Sequence, residues 1–283
     1  MSSRQRLIPA LVLFLLAAAG SLHAQLIVAP TSVFIDKNQP IATVILVNQT
    51  SDVREVDLQM RFAYPDLDSN GTMFINYEPQ EEKAAYSLVD WTKVFPRRMT
   101  LAPGERQNVR IMVRPPAGLP NGAYWGRLMV VSRTNVELQT EGTQQVGAQL
   151  DFSIAQVVPV LFTLDAPTPL LSLGDHSVSF EDDKVILSHA VSCEQHPPFY
   201  GSAVCTLKNS SGEVVRSIAA PAAVFFTNVK QFAFNRDQLP PDVYTVDFEL
   251  TPQREGLDER FVLGMVPLTT SWTFRLNAGI DRN

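Results

Sequence analysis

The segment Leu119-Pro120-Asn121-Gly122-Ala123-Tyr124 returns as Leu239-Pro240-Pro241-Asp242-Val243-Tyr244, 239 − 119 = 120 residues later. In each copy Pro with Gly or Asp makes a tight turn. A Tyr follows, apolar in its ring and polar at its tip, as the chain enters an alternating run. A chain that punctuates itself twice in this way is constrained to two similar units. Its 283 residues allow two domains, each able to bury a core.

The runs between the turns are short and have period two. Leu26–Val28 and Ser32–Ile35 read as one broken strand, followed by Ala42–Asn48. In Val53–Phe62, Val56, Leu58 and Met60 share a face. Met99–Leu101 and Gln107–Val113 flank the turn Ala102-Pro103-Gly104-Glu105, and Ala123–Ser132 and Val146–Leu164 follow. The second half repeats the pattern at 177–180, 184–193, 203–208, 213–218, 230–234, 243–250 and 269–276. No run of helical length keeps a 3.6-residue period. The expected fold is all-β: two tandem immunoglobulin-like β-sandwiches, with the Tyr of each repeat as a tyrosine corner. The units are expected at 25–164 and 170–283, joined by the stiff linker Asp165-Ala166-Pro167-Thr168-Pro169. Ala63–Phe95 is looser, and the acidic run Tyr64–Gly71 lacks the spacing of an EF-hand, so it reads as a turn.

Residues 1–24 carry Arg4 and Arg6, an apolar stretch from Leu7 to Gly20, and Ser21-Leu22-His23-Ala24. That order is a cleaved secretory signal peptide, with an apolar part shorter than the ~20 residues of a membrane span. Its removal leaves 23 − 2 = 21 basic against 29 acidic residues, a charge of −8. With no basic excess, an electrostatic nucleic-acid footprint is not expected. Export implies an oxidising compartment, so Cys193 and Cys205 are expected to face each other across a hairpin as a disulfide. Closing that loop would contribute roughly 3 kcal/mol.

Catalytic signatures are missing: no Gly-x-Ser-x-Gly, no phosphate-cradling Gly loop and no His-Glu-x-x-His. His176, His189 and His196 fall on a loop, a strand and a loop, without metal-ligand spacing. Trp91, Trp125 and Trp272 are scattered, which gives no carbohydrate platform. The expectation is a protein without enzyme activity, cofactor, metal or small-molecule substrate.

Val146, Ala148, Leu150, Phe152 and Ile154 all fall on one face by strict alternation, with Gly147, Gln149, Asp151 and Ser153 on the other. A long regular strand closing a first domain belongs at a sheet edge, where an apolar face invites another chain. That face is either ordinary sandwich core or a surface for β-augmentation.

Residues 26–164 resemble the periplasmic pilus-assembly chaperones of the chaperone–usher pathway. The resemblance is carried by Ala29-Pro30-Thr31-Ser32-Val33-Phe34-Ile35-Asp36, by Ala42–Asn48, by Arg98-Met99-Thr100-Leu101-Ala102-Pro103-Gly104-Glu105-Arg106-Gln107-Asn108-Val109-Arg110-Ile111, and by the alternating strand. It implies a boomerang of two immunoglobulin-like domains that lends alternating apolar residues to an incomplete pilus subunit. Val146, Ala148, Leu150, Phe152 and Ile154 would then be the donor residues. The partners would be fimbrial subunits and an outer-membrane usher, in the periplasm. Family members anchor the subunit's C-terminal carboxylate with an Arg and a Lys. Here those places fall near Thr31 or Ser32 and near Val158–Val160, none basic, which leaves Arg97, Arg98 or Arg127 as substitutes in a divergent member. The rival reading is an exported structural or adhesive tandem immunoglobulin-like protein with no donor strand.

Overall fold

The computed structural model describes residues 26–68, 73–78, 80–138, 148–181, 183–195, 197–255 and 265–277. The signal segment 1–24, Val146 and His196 lie outside them. The chain is almost all strand. In chain order the first unit has β1 (Leu26–Ala29), β2 (Val33–Asp36), β3 (Ile41–Asn48), β4 (Arg54–Arg61), β5 (Tyr64–Leu67), β6 (Met73–Asn76), the short helix α1 (Glu81–Ala84), β7 (Thr92–Phe95), β8 (Arg98–Leu101), β9 (Arg106–Val113), β10 (Gly122–Leu138) and β11 (Ala148–Leu164). The second has β12 (Leu170–Glu181), β13 (Lys184–Gln195), β14 (Phe199–Lys208), β15 (Val214–Val224), β16 (Thr227–Asn235), β17 (Asp242–Thr251) and β18 (Leu268–Leu276).

Each unit is a two-layer sandwich. In the first, sheet β1-β3-β9-β7 faces sheet β2-β11-β10-β4-β8. In the second, β12-β13-β16 faces β15-β14-β17-β18. The alternation read from the sequence points inward as expected: Val44, Leu46, Val56 and Leu58 are buried with Val109, Ile111, Leu128, Val130, Val158, Val160 and Phe162. Asn48, on the same face of β3, is buried too. Its Nδ2 donates to the carbonyls of Asp52 and Leu101, and its Oδ1 accepts from the Thr50 hydroxyl. A buried amide thus satisfies loop carbonyls that no strand reaches.

Both repeated tyrosines close a corner. Tyr124 Oη donates to the Pro120 carbonyl at 2.8 Å and Tyr244 Oη to that of Pro240 at 2.7 Å. The turn residues bring a carbonyl back to meet the phenol four residues on, so the motif is local and was legible from six residues.

The expected hairpin disulfide is not what the structure holds. Cys193 and Cys205 are both buried and no disulfide joins them. β13 and β14 do not form a hairpin, because they belong to opposite sheets. β13 pairs with β12 and β16, while β14 pairs with β15 and β17. The Cys193 thiol donates to the Pro197 carbonyl at 3.5 Å, and burial pushes the Cys205 thiol up to about 12.

His189 is buried in the second core, stacked on Phe248 (ring centroids 4.7 Å) and edge-on to Trp272 (5.3 Å), with His176 at 6.0 Å. Burial holds its pKa below the ordinary 6.5. The native ring therefore stays neutral at a pH where the unfolded ring takes up a proton. Because the unfolded state then binds more protons, stability falls as pH drops below about 6.5. His189→Gln is expected to remove that part of the slope, measured by urea unfolding from about pH 7 to pH 5.

Candidate functional site

β10 and β11 are each 17 residues long and stay in antiparallel register from Gly122↔Leu164 to Leu138↔Ala148. Their other neighbours are much shorter. β4 covers β10 only from Arg127 to Arg133, and β2 covers β11 only from Val160 to Thr163. The pair therefore runs past its sandwich as a two-stranded ribbon. From Ala148 to Pro159 the outer backbone edge of β11 has no strand partner among the described residues. Pro159, which has no N–H, sits where pairing with β2 stops, as strand prolines do at edges.

The apolar face of β11 changes role along its length. Val158, Val160 and Phe162 are core, whereas Ile154 on the same face is 47% exposed. Gln156 marks the transition, donating Nε2 to the Leu26 carbonyl at 2.9 Å across the sheets. β10 turns polar at the same level, with Val130 followed by Ser132 and Thr134. The face is core from Val158 to Phe162 and exposed at Ile154. Ala148, Leu150 and Phe152 lie on this ribbon opposite Leu138, Val136 and Thr134.

The three candidate anchors separate. Arg98 is on β8, on the far side of β4 and β10 from β11, and is neutralised by Asp57 at 2.7 Å. Asp57 also pairs with Arg133. Arg97 is exposed beside it, its carbonyl accepting from Leu58 N. Arg127 lies elsewhere. It is on β10 opposite Pro159, half-buried, at the junction of the two sandwiches. Its Nε is buried without a hydrogen-bond partner, and burial lowers its pKa, opposed by Tyr200 and Tyr77 nearby.

The second unit adds groups that no local pattern announces. Tyr200 is buried at the junction, its phenol raised by burial and pulled back by Arg127 and Arg254. Lys230 on β16 is half-buried and lowered by burial and by Arg254. No ion pair to a carboxylate is found for Arg127, Lys230 or Arg254 among the described residues. Half-buried positive charges with no counter-charge among the described residues favour an anionic ligand group. Gly201 lets this strand approach: a Cβ there would lie 2.1 Å from the Thr251 carbonyl.

An aromatic cluster joins the sandwiches around this point. Tyr64, Trp125 and Leu161 from the first unit pack with Tyr200 and Phe225 from the second. Tyr86 stacks on Trp125 (4.9 Å), and Phe225 meets Trp125 edge-on (5.0 Å). Beside it lies a cavity of about 240 Å³ lined by Lys37, Leu161, Thr163, Asp165 and Tyr200. The Lys37–Asp165 ion pair (2.6 Å) ties β2's end to the start of the linker, where Asp165 has φ +41°. Among the described residues no three His, Cys, Asp or Glu gather into a metal site, and no helix is long and apolar enough to cross a membrane.

No family model matches the chain, and no curated protein matches it in sequence. Solved structures similar to it include the CupB2 chaperone of Pseudomonas aeruginosa, at 12% identity over 88% of this chain and all of that one, with a TM-score of 0.38. Another is the CsuC–CsuE chaperone–tip adhesion subunit pre-assembly complex of Acinetobacter baumannii, at 17% identity over 80% of this chain and 93% of that chain, with a TM-score of 0.39. A third is the SafB chaperone with the SafA pilin of Salmonella enterica, at 11% identity, 89% and 98% coverage, and a TM-score of 0.40. At these values the functional reading rests on the chain's own geometry.

Proposed function

We propose that the protein is an exported chaperone for fimbrial subunits, holding each client by β-strand addition in the periplasm and passing it to an outer-membrane usher. The observation that carries this is the uncovered edge of β11 from Ala148 to Pro159, with the Ile154 side chain leaving the core face into the open. A client sandwich that lacks a strand presents unpaired backbone and a greasy groove. β11 and the residue Val146 ahead of it would supply both the hydrogen bonds and the side chains, those of Val146, Ala148, Leu150, Phe152 and Ile154. Five such side chains give a gross gain of about 10 kcal/mol before ordering costs, so no nucleotide is needed. On this reading Arg127 receives the client's terminal carboxylate, because it sits at the sandwich junction with no acid partner among the described residues.

The test is co-expression with neighbouring fibre-subunit genes. Leu150→Asp with Phe152→Asp is expected to abolish client recovery while the free protein keeps its thermal unfolding midpoint. Unchanged recovery would sink donation. Loss of the fold itself would instead mean that the face is core, as in an adhesive tandem-sandwich protein.

A further inference from the structure

Going beyond that reading, we propose that β6 is a second docking edge, shaped for an extended apolar segment of a partner polypeptide flanked by Lys or Arg. The β5–β6 hairpin is a two-stranded sheet of its own. β5 is covered: Tyr64 is buried and the strand packs against β16 of the second sandwich. β6 is not. Met73, Phe74 and Ile75 are 53%, 43% and 37% exposed. Successive strand residues point to opposite faces, so β6 presents apolar surface on both, and its outer backbone edge pairs with no strand among the described residues.

The hairpin is nonetheless held in place. Lys83 lies 5.1 Å from the Tyr64 ring and 4.8 Å from that of Phe226 in the second sandwich. Asp66 accepts from Asn76 at 2.9 Å, and Asn228 Nδ2 reaches Met73 Sδ at 3.5 Å. An apolar edge fixed in advance costs little to order when a strand adds to it.

Charge selects the occupant. Glu78, Glu81 and Glu82 are exposed around the strand. Lys83 on α1 is engaged as above and also faces Asp66 at 3.8 Å, and Arg61 lies over the Tyr77 ring at 4.9 Å. A second copy of this edge would bring its own carboxylates against these, and an anionic bilayer would be repelled likewise. A strand with basic flanks meets an opposite field on both sides.

The probe is a fluorescent peptide of alternating Thr and Val with two Lys at each end, titrated into the full mature chain and followed by anisotropy. Saturable binding is expected, weakening as salt is raised. Phe74→Ser with Ile75→Ser is expected to weaken it about tenfold, with circular dichroism unchanged because both positions are exposed. Ile154→Asp is expected to leave it unaltered, which separates this edge from that of β11. The proposal is overturned if the Lys-ended peptide does not bind, or if a Glu-ended peptide binds equally well. It also fails if only Ile154→Asp weakens binding, if the paired Ser substitutions dissolve a homodimer, or if Phe74 drives flotation with phosphatidylglycerol vesicles.

Discussion

Trp125→Ala is expected to destabilise the protein by about 3–5 kcal/mol, the range for truncating a buried indole. Trp125 is 1% exposed and is the ring on which the junction converges, touching Phe62, Tyr86, Phe225 and Phe226. It lies on the outward face of β10, whereas Tyr124 beside it packs into the first core. The loss should therefore fall on the coupling between sandwiches before it falls on either core. Chemical denaturation should show one transition splitting into two, since independent domains do not unfold as one unit. A single transition of unchanged midpoint would mean that the aromatic cluster does not hold the units together.

Arg127→Met is expected to weaken client capture ten- to a hundredfold, about the worth of a charge-assisted bond of 1.5–3 kcal/mol. It should not destabilise the free protein. Arg127 carries a partly buried charge with no acid beside it, and an apolar side chain of similar length relieves that desolvation. Arg127→Lys should restore part of the affinity, because charge remains but the planar fork does not. The measurement is a pull-down titration of client against each variant, with denaturation midpoints alongside. A Met variant that captures client as well as the parent removes Arg127 from the site. The donor edge would then still stand or fall on its own substitutions.

The readings that succeeded from sequence were those whose cause lies within a few residues. A Tyr four residues after a turn proline finds that proline's carbonyl whatever the rest of the chain does. Period two told that Val56, Leu58 and Met60 of β4 share a face, and Val56 and Leu58 are buried while Met60 packs against the core. Period two could not say where along β11 the face stops being core. That depends on how far β2 and β4 extend beside the long pair, a matter of register between segments more than a hundred residues apart. The short strands β5, β6 and β7 went unread because the looser stretch that holds them shows no sustained alternation. Their places come from contact with the second sandwich and with β9.

The cysteines show the same boundary from the other side. Nearness in sequence suggested a bridge across a hairpin, and the placement of β13 and β14 in opposite sheets removes that hairpin. Arg127 could be named as a free base from the sequence, yet nothing local singled it out from Arg97 and Arg98. What distinguishes it is Asp57, which neutralises Arg98, and Tyr200, which arrives from the second unit.

Sequence alone determined that this chain makes two sandwiches, where each is cornered, and which faces are apolar, because strand alternation and turn chemistry act between neighbours along the chain. Only the tertiary structure decided which edge finds no strand and which arginine finds no counter-charge among the described residues. Those depend on what distant segments bring alongside, and on the burial that removes water from between them.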